Sequence, residues 1–203
     1  MVKSYAPKQS FRHFITKTPW IIQLGGNVVD DDGKPFENVF DVKNAWNLNA
    51  LSFKVAVEKE LNYNWNIELA FNSNAYKSGK RINGDVMTST GNFFSVDLNG
   101  KKIITKAYRI EPYLFSGFGY TMRTLSKDKH VATLNAGFGF HIWAIDNVLG
   151  INIQGAGKFG LVSPLLKTGS NYLQHSVGII YKFSGNSKQL KAARKHISTI
   201  YNK

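Results

Sequence analysis

Along most of this chain the apolar positions recur every second residue. Trp20, Ile22, Leu24, Gly26 and Val28 alternate with Gln23, Gly25 and Asn27. Leu51, Phe53, Val55 and Val57 alternate with Ser52, Lys54, Ala56 and Glu58, and Trp65, Ile67, Leu69 and Phe71 with Asn66, Glu68, Ala70 and Asn72. The same rhythm returns in Phe94–Leu98, in a fifth segment at about Ile110–Met122, in Thr133–Ile142, in Leu149–Lys158 and in Ser176–Phe183. A period of two puts successive side chains on opposite faces of a strand, so these are eight amphipathic strands. Most span about 9–13 residues, the length that crosses a bilayer at a tilt. The pattern predicts an all-β chain, an eight-stranded antiparallel up-and-down transmembrane β-barrel over 19–183. A basic segment, 1–18, precedes it, and a short basic tail, 184–203, follows.

Connection lengths alternate. Long ones fall at roughly 30–49, 77–91 and 159–171, with a shorter one at 123–129. The others are tight: Asn62–Asn64, Ala144–Asn147, and 99–107, which opens with the hairpin signal Asn99-Gly100. Short turns on one side and longer loops on the other mark outer-membrane barrels. Aromatics gather at strand ends, and Trp20, Trp65, Trp143 and Tyr181 are expected at the membrane interface, with Tyr63, Tyr76, Tyr172 and Phe183 nearby. Small residues on the second phase (Gly25, Ala56, Ala70, Gly137, Gly139, Gly150, Ala156, Gly178) leave room for the longer polar side chains there, as a side-chain-filled eight-stranded barrel requires. A soluble calyx would invert the pattern. Its loops lack this asymmetry, and the Gly-x-Trp start of lipocalins is absent, since Trp20 follows Thr18-Pro19.

Charge sharpens the division into segments. The chain has 203 residues, a net charge of +13 and no cysteine, which removes disulfides and thiol chemistry together. Residues 1–19 hold Lys3, Lys8, Arg12 and Lys17 and no acid; residues 182–203 hold Lys182, Lys188, Lys191, Arg194, Lys195 and Lys203 and no acid. The body between is nearly balanced, so the sequence does not read as a nucleic-acid binder. No run reaches the ~18 apolar residues of a membrane helix, and Met1–Trp20 lacks the apolar core of a signal peptide. Either the chain is cytosolic or a leader has been removed before Met1, and the strand pattern favours the second. The tail, Asn186–Tyr201, reads either as a basic amphipathic helix with Leu190, Ala193, Ile197 and Ile200 on one face or as a linker.

The last strand closes with Ser176-Val177-Gly178-Ile179-Ile180-Tyr181-Lys182-Phe183. This polar-x-Gly-x-x-aromatic-x-aromatic string is similar to the β-signal by which outer-membrane proteins are recognised for assembly, which makes Ser176, Gly178, Tyr181 and Phe183 the expected assembly residues. With Asn27–Phe36 (NVVDDDGKPF), Val42–Asn47 (VKNAWN), Ala132–Phe140 (ATLNAGFGF) and Gln174–Gly178 (QHSVG), the chain resembles the OmpA-like family of eight-stranded outer-membrane barrels over about 20–183. The resemblance implies a Gram-negative outer membrane, lipid contact and periplasmic termini. It also implies a structural or envelope-integrity role, or an accessory place in a larger envelope complex with a periplasmic or outer-membrane partner. Surface recognition through the extracellular loops is the alternative, and lipid modification the least favoured. The family's larger members carry a peptidoglycan-binding domain after the barrel, and that property is not carried over.

Candidate chemistry is sparse. Asp30, Asp31, Asp32 and Glu37 resemble a calcium loop but lack the EF-hand spacing, so a solvated Asp-Gly turn is preferred and neither metal nor cofactor is expected. The turn at 62–64 sets a register in which Glu58 lies across from Glu68 inside the barrel. Two buried like charges require cations, which favours a lumenal ion cluster with Lys54, Lys158 or Lys182 over acid–base catalysis. No catalytic residues are assigned, and the five histidines show no metal spacing. His130 and Ser73 could approach one rim, which keeps the lipid-modifying enzyme open.

Overall fold

The computed structural model describes residues 18–31, 42–50, 52–82, 85–106, 109–125, 130–145, 147–161 and 171–183. Most of the basic N-terminal segment, the tail with its expected helix, and Asp32 and Glu37 lie outside the described residues. Eight long strands dominate: β1 (Trp20–Asp30), β2 (Phe53–Glu60), β3 (Trp65–Tyr76), β4 (Gly91–Ile103), β5 (Ile110–Arg123), β6 (His130–Ile145), β7 (Leu149–Gly160) and β8 (Tyr172–Phe183). Each pairs antiparallel with the next, and β8 pairs with β1 from Trp20↔Phe183 to Asp30↔Leu173, closing the sheet on itself. Closure removes the edges, which hydrocarbon cannot satisfy. The even strand count brings Trp20 and Phe183 to one end, shared with the short turns 61–64, 104–109 and 146–148. The opposite end carries the longer connections.

The two phases face opposite ways. Leu24, Phe118 and Ile179 point outward with 66%, 65% and 62% of their surface exposed, in a continuous band with Ile22, Val57, Leu69, Val96, Phe138 and Ile153. Gln23, Lys54, Glu58, Asn72, Asp97, Asn135, Asn152 and Lys158 point inward and are buried. Apolar side chains outside and polar ones inside are the reverse of a soluble calyx, and such a band needs an apolar solvent.

Local chemistry sets the turns. Asn62 Oδ1 accepts from the Asn64 and Trp65 amides at 2.9 and 3.0 Å, an Asx turn that fixes the β2–β3 register. Asn147, at φ 55°, takes the left-handed conformation in the β6–β7 turn, where Val148 N–H donates to Ile145 O at 2.7 Å. The expectation for Asn99-Gly100 is corrected. Both lie within β4, with Asn99↔Gly117 and Gly100↔Ser116 in the ladder, and the chain turns at 104–109 instead. A two-residue Asn-Gly hairpin needs φ > 0 at both central positions, and neither residue has it. Two short pairings decorate the loop end: Trp46–Asn47 against Val29–Asp30, and Arg81–Ile82 against Asp85–Val86.

The β1–β2 seam is paired only from Trp20↔Lys59 to Gly25↔Lys54. Above it amides replace the ladder. Asn27 Nδ2 donates to Phe53 O at 2.7 Å and Ser73 O at 2.8 Å, while Asn74 Nδ2 donates to Asn27 Oδ1 at 3.1 Å and Asn47 O at 2.9 Å. At the β8–β1 seam Gly25 faces Gly178, and a Cβ on Gly25 would stand 2.1 Å from Val177 O. Gly26 points outward, with only Ser52 O within reach at 3.5 Å. Gly25→Val is therefore expected to prevent closure and abolish the heat-modifiable folded band in electrophoresis, whereas Gly26→Ala should leave it at wild-type intensity.

Candidate functional site in the barrel lumen

The inward phase of all eight strands converges on one charged network. Lys101, from β4, sits between the two acids that β2 and β3 place opposite each other: its Nζ lies 2.6 Å from Glu58 Oε2 and 2.7 Å from Glu68 Oε2. Lys54 Nζ reaches Glu68 at 3.5 Å and donates to Gln154 Oε1 at 3.1 Å. Asn66 donates to Glu58 Oε1 at 2.5 Å and Asn99 to Glu68 Oε1 at 3.2 Å, so each carboxylate has an amide as well as an ammonium. The Lys101 ammonium also lies over the Tyr113 ring, 4.6 Å from its centroid, and Tyr113 donates to Asn152 Oδ1 at 2.7 Å. His141 stands between Glu58 and Glu111, at 3.5 and 3.7 Å.

A second layer lies toward the loop end. Lys158 Nζ contacts both Asp97 oxygens at 2.5 Å and Ser95 Oγ at 3.3 Å, and Asn72 and Asn135 donate to the same carboxylate at 2.9 and 3.1 Å. Between the layers a cavity of about 10 Å³, lined by Lys54, Asp97, Asn135, Gln154, Lys158 and Gln174 among others, has the room of a single water molecule. At the rim, Arg123 Nη1 donates to Asp31 at 2.8 and 3.1 Å and Tyr76 donates to Asp31 Oδ2 at 2.6 Å. Acids Asp31, Glu58, Glu68 and Asp97 are thus matched by bases Lys54, Lys101, Lys158 and Arg123.

Apolar groups stop both ends. Val29, Tyr76, Ile82, Phe93 and Tyr172 pack together at the loop end, with Met87 and Leu125 against them. Ile82 comes from the 77–90 connection, which folds back over the mouth. Ile21, Trp143 and Ile180 pack together at the turn end.

A closed eight-stranded antiparallel sheet, apolar outside and filled with paired charges inside, decides the fold. The chain has the fold of the eight-stranded outer-membrane β-barrels. No family model and no curated protein matches the sequence. Among solved structures the chain is similar to Neisserial surface protein A, with a TM-score of 0.53 at 10% identity over 82% of this chain and 97% of that one. It is also similar to the outer-membrane protein OprG from Pseudomonas aeruginosa, with a TM-score of 0.50 at 12% identity over 83% of this chain and 97% of that one.

Within this barrel, several sequence expectations move. Lys158 belongs to Asp97, and Lys182 Nζ pairs with Glu60 Oε1 at 2.7 Å above the Trp143 ring, so neither contacts Glu58 or Glu68. Lys101 takes that role, and reading 99–107 as a turn concealed it; continuing the β4 alternation beyond Asp97 and Asn99 would have put it inside. Trp143 is not an interface residue: it shares the phase of His141 and is 1% exposed inside the lumen. The same parity turns Tyr76 and Tyr172 inward. Trp20, Trp65 and Tyr181 do face outward. In β8, Ser176 and Gly178 face inward, while Tyr181 and Phe183 stack outside with centroids 6.2 Å apart. Asp31, placed in the acidic run, is bonded to Arg123; among the described residues no His, Asp and Glu group suits a metal. Ser73 on β3 and His130 on β6 are separated by β4 and β5, and His130 Nδ1 lies 3.0 Å from the Tyr120 hydroxyl, so the two do not converge.

Removing one partner of a buried pair strands the other charge, at a cost of about 3–5 kcal/mol. Lys101→Met should lower the unfolding free energy in lipid vesicles by that order, measured by urea titration. Lys102→Met, one residue on and facing outward, should change it by less than about 1 kcal/mol. Adding Glu58→Gln and Glu68→Gln to Lys101→Met should recover much of the loss.

Proposed function

We propose that the protein is an integral barrel of a Gram-negative outer membrane. It serves envelope integrity, or acts as an accessory subunit of a larger envelope complex, and is neither an open pore nor an enzyme. The observation that carries this reading is the lumen among the described residues: buried ion pairs, a small polar cavity with room for a water, and apolar clusters at both ends. A transport route for hydrated solutes needs a continuous polar path, and among the described residues buried ion pairs and two apolar clusters stand across it. The separation of Ser73 from His130 supports the non-enzymatic reading.

The short-turn end faces the periplasm, because outer-membrane barrels keep short turns there and long loops outside. Both basic ends of the chain then enter the periplasm, where they meet anionic surfaces or an envelope partner. Ser176, Gly178, Tyr181 and Phe183 serve as the assembly signal: the outward aromatic pair gives a recognition surface, while Gly178 lets β1 approach.

Two measurements test this. In planar bilayers the purified barrel should show no steady conductance and no sugar passage; steady nanosiemens openings would refute the closed lumen. In intact cells, a protease should cut within the long connections 31–52 or 77–90 and spare the turn at 61–64. Co-purification from native membranes in mild detergent then separates an accessory subunit, which brings a partner, from a free-standing structural barrel.

A further inference from the structure

We propose that the turn end of the β1–β4 arc is a binding site for the phosphate of an anionic phospholipid headgroup. Lysines there sit over aromatic rings. Lys102 Nζ is 5.1 Å from the Trp65 ring centroid and Lys106 Nζ 5.3 Å from Tyr63, while Lys59, buried and donating to Thr18 O, lies 4.5 Å from Trp20 and adds its charge behind them. The strand register makes this one patch. Lys59 pairs directly with Trp20 and Lys102 with Trp65, and Tyr63 and Lys106 occupy the adjoining turns. Trp65 and Tyr63 are 45% and 70% exposed on the outer surface.

Charge and depth together select the occupant. Arg109 adds an exposed base at the same turn. Glu60, the acid nearest the patch, is held by Lys182 at 2.7 Å, with Lys106 at 3.6 Å. Lys102 has no carboxylate partner among the described residues. On the outward face of the β6–β8 turn end stand Ala144, Ile145, Leu149, Tyr181 and Phe183, with no base among the described residues. Among the described residues, the outward bases of this end therefore stand on one arc. The patch also borders the lipid-facing band, with Ile22 two residues from Trp20 and Ile67 two from Trp65. Aromatic rings at that level mark headgroup depth, where a phosphate is the available anion and a nearby basic side chain gains about 1 kcal/mol. An ammonium resting on a ring is oriented, and its N–H groups beside the ring can donate to that phosphate. In the cell the lipid would be a periplasmic-leaflet phospholipid, given the orientation proposed above. Symmetric vesicles probe the site itself, whichever leaflet it meets.

The full chain is folded into phosphatidylcholine vesicles containing a small fraction of brominated phosphatidylglycerol or brominated phosphatidylcholine. In a Trp46→Phe background, which removes the tryptophan at the loop end, Trp20 and Trp65 report by fluorescence quenching, while Trp143, inside the lumen, contributes a constant background. The expected result is a preference for phosphatidylglycerol of about fivefold, the equivalent of one favourable basic contact. It should shrink toward unity at high salt. Lys102→Gln with Lys106→Gln should abolish it while heat modifiability and quenching by brominated phosphatidylcholine stay unchanged. Lys102→Arg should retain it, which separates lost charge from lost fold. Equal quenching by the two lipids in the wild type, or a preference that survives the double substitution, overturns the proposal. So does capture of soluble polyglutamate by the patch without any lipid preference.

Discussion

A polypeptide in hydrocarbon has no water to satisfy its backbone, so every strand needs a neighbour on both sides. The rest of this structure follows from that constraint. Eight strands are few enough that closure draws the inner faces together, and side chains must then fill the lumen. The β8–β1 seam shows how tightly the demands are linked. Its ladder runs the length of β1, and it closes where Gly25 and Gly178 leave the two backbones no intervening Cβ. Where the β1–β2 ladder stops at Gly25–Lys54, the amides of Asn27 and Asn74 take over the carbonyls of Phe53, Ser73 and Asn47. Backbone satisfaction is thus achieved by strand pairing in most places and by side chains where the ladder stops and at the turns.

Filling the lumen with polar groups creates a second constraint. Buried charges are tolerated only when each is paired and hydrogen-bonded. Lys101 bridges Glu58 and Glu68, Lys158 is held by Asp97 and Ser95, and Arg123 by Asp31. The Lys101 contacts tie three neighbouring strands together, while Lys158–Asp97 and Arg123–Asp31 join elements that are not neighbours in the sheet. The network therefore acts as internal bracing. That is a stronger argument for rigidity than for net stability, because desolvation offsets much of what buried pairs gain.

Most of the fold was legible because period two is a direct consequence of strand geometry, and one register-setting turn at Asn62–Asn64 was enough to place Glu58 opposite Glu68. What was not legible has two causes. Local turn chemistry was allowed to override alternation at Asn99-Gly100, although both residues extend β4 without positive φ. That cost Lys101, the central cation. Trp143 was misplaced for the related reason that aromatic identity was weighed above parity: it shares the phase of His141 and belongs inside. Cation partners were beyond sequence reach altogether. Lys54, Lys158 and Lys182 all point inward or close the end, but which acid each meets depends on height and angle around the barrel, which periodicity does not encode.

The two ends of the barrel differ in kind, and the difference bears on what each can do. At the loop end, Val29, Tyr76, Ile82, Phe93 and Tyr172 form an apolar cluster beside the Asp31–Arg123 pair. At the turn end the apolar cluster is small, Ile21, Trp143 and Ile180, and it is ringed by Glu60, Lys182 and Lys106. The outward Lys102 of β4 stands beside Trp65 at the border of the lipid-facing band, and the buried Lys59 of β2 lies against Trp20. Charge that is neutralised inside the lumen is therefore left in excess at one rim. The two flanking segments, rich in Lys and Arg and without acids before residue 20 or after Phe183, join the barrel at that same rim. Charge at this rim faces the surroundings rather than a buried partner: Lys102, intermediate in exposure, and the exposed Arg109 are available there to an outside group.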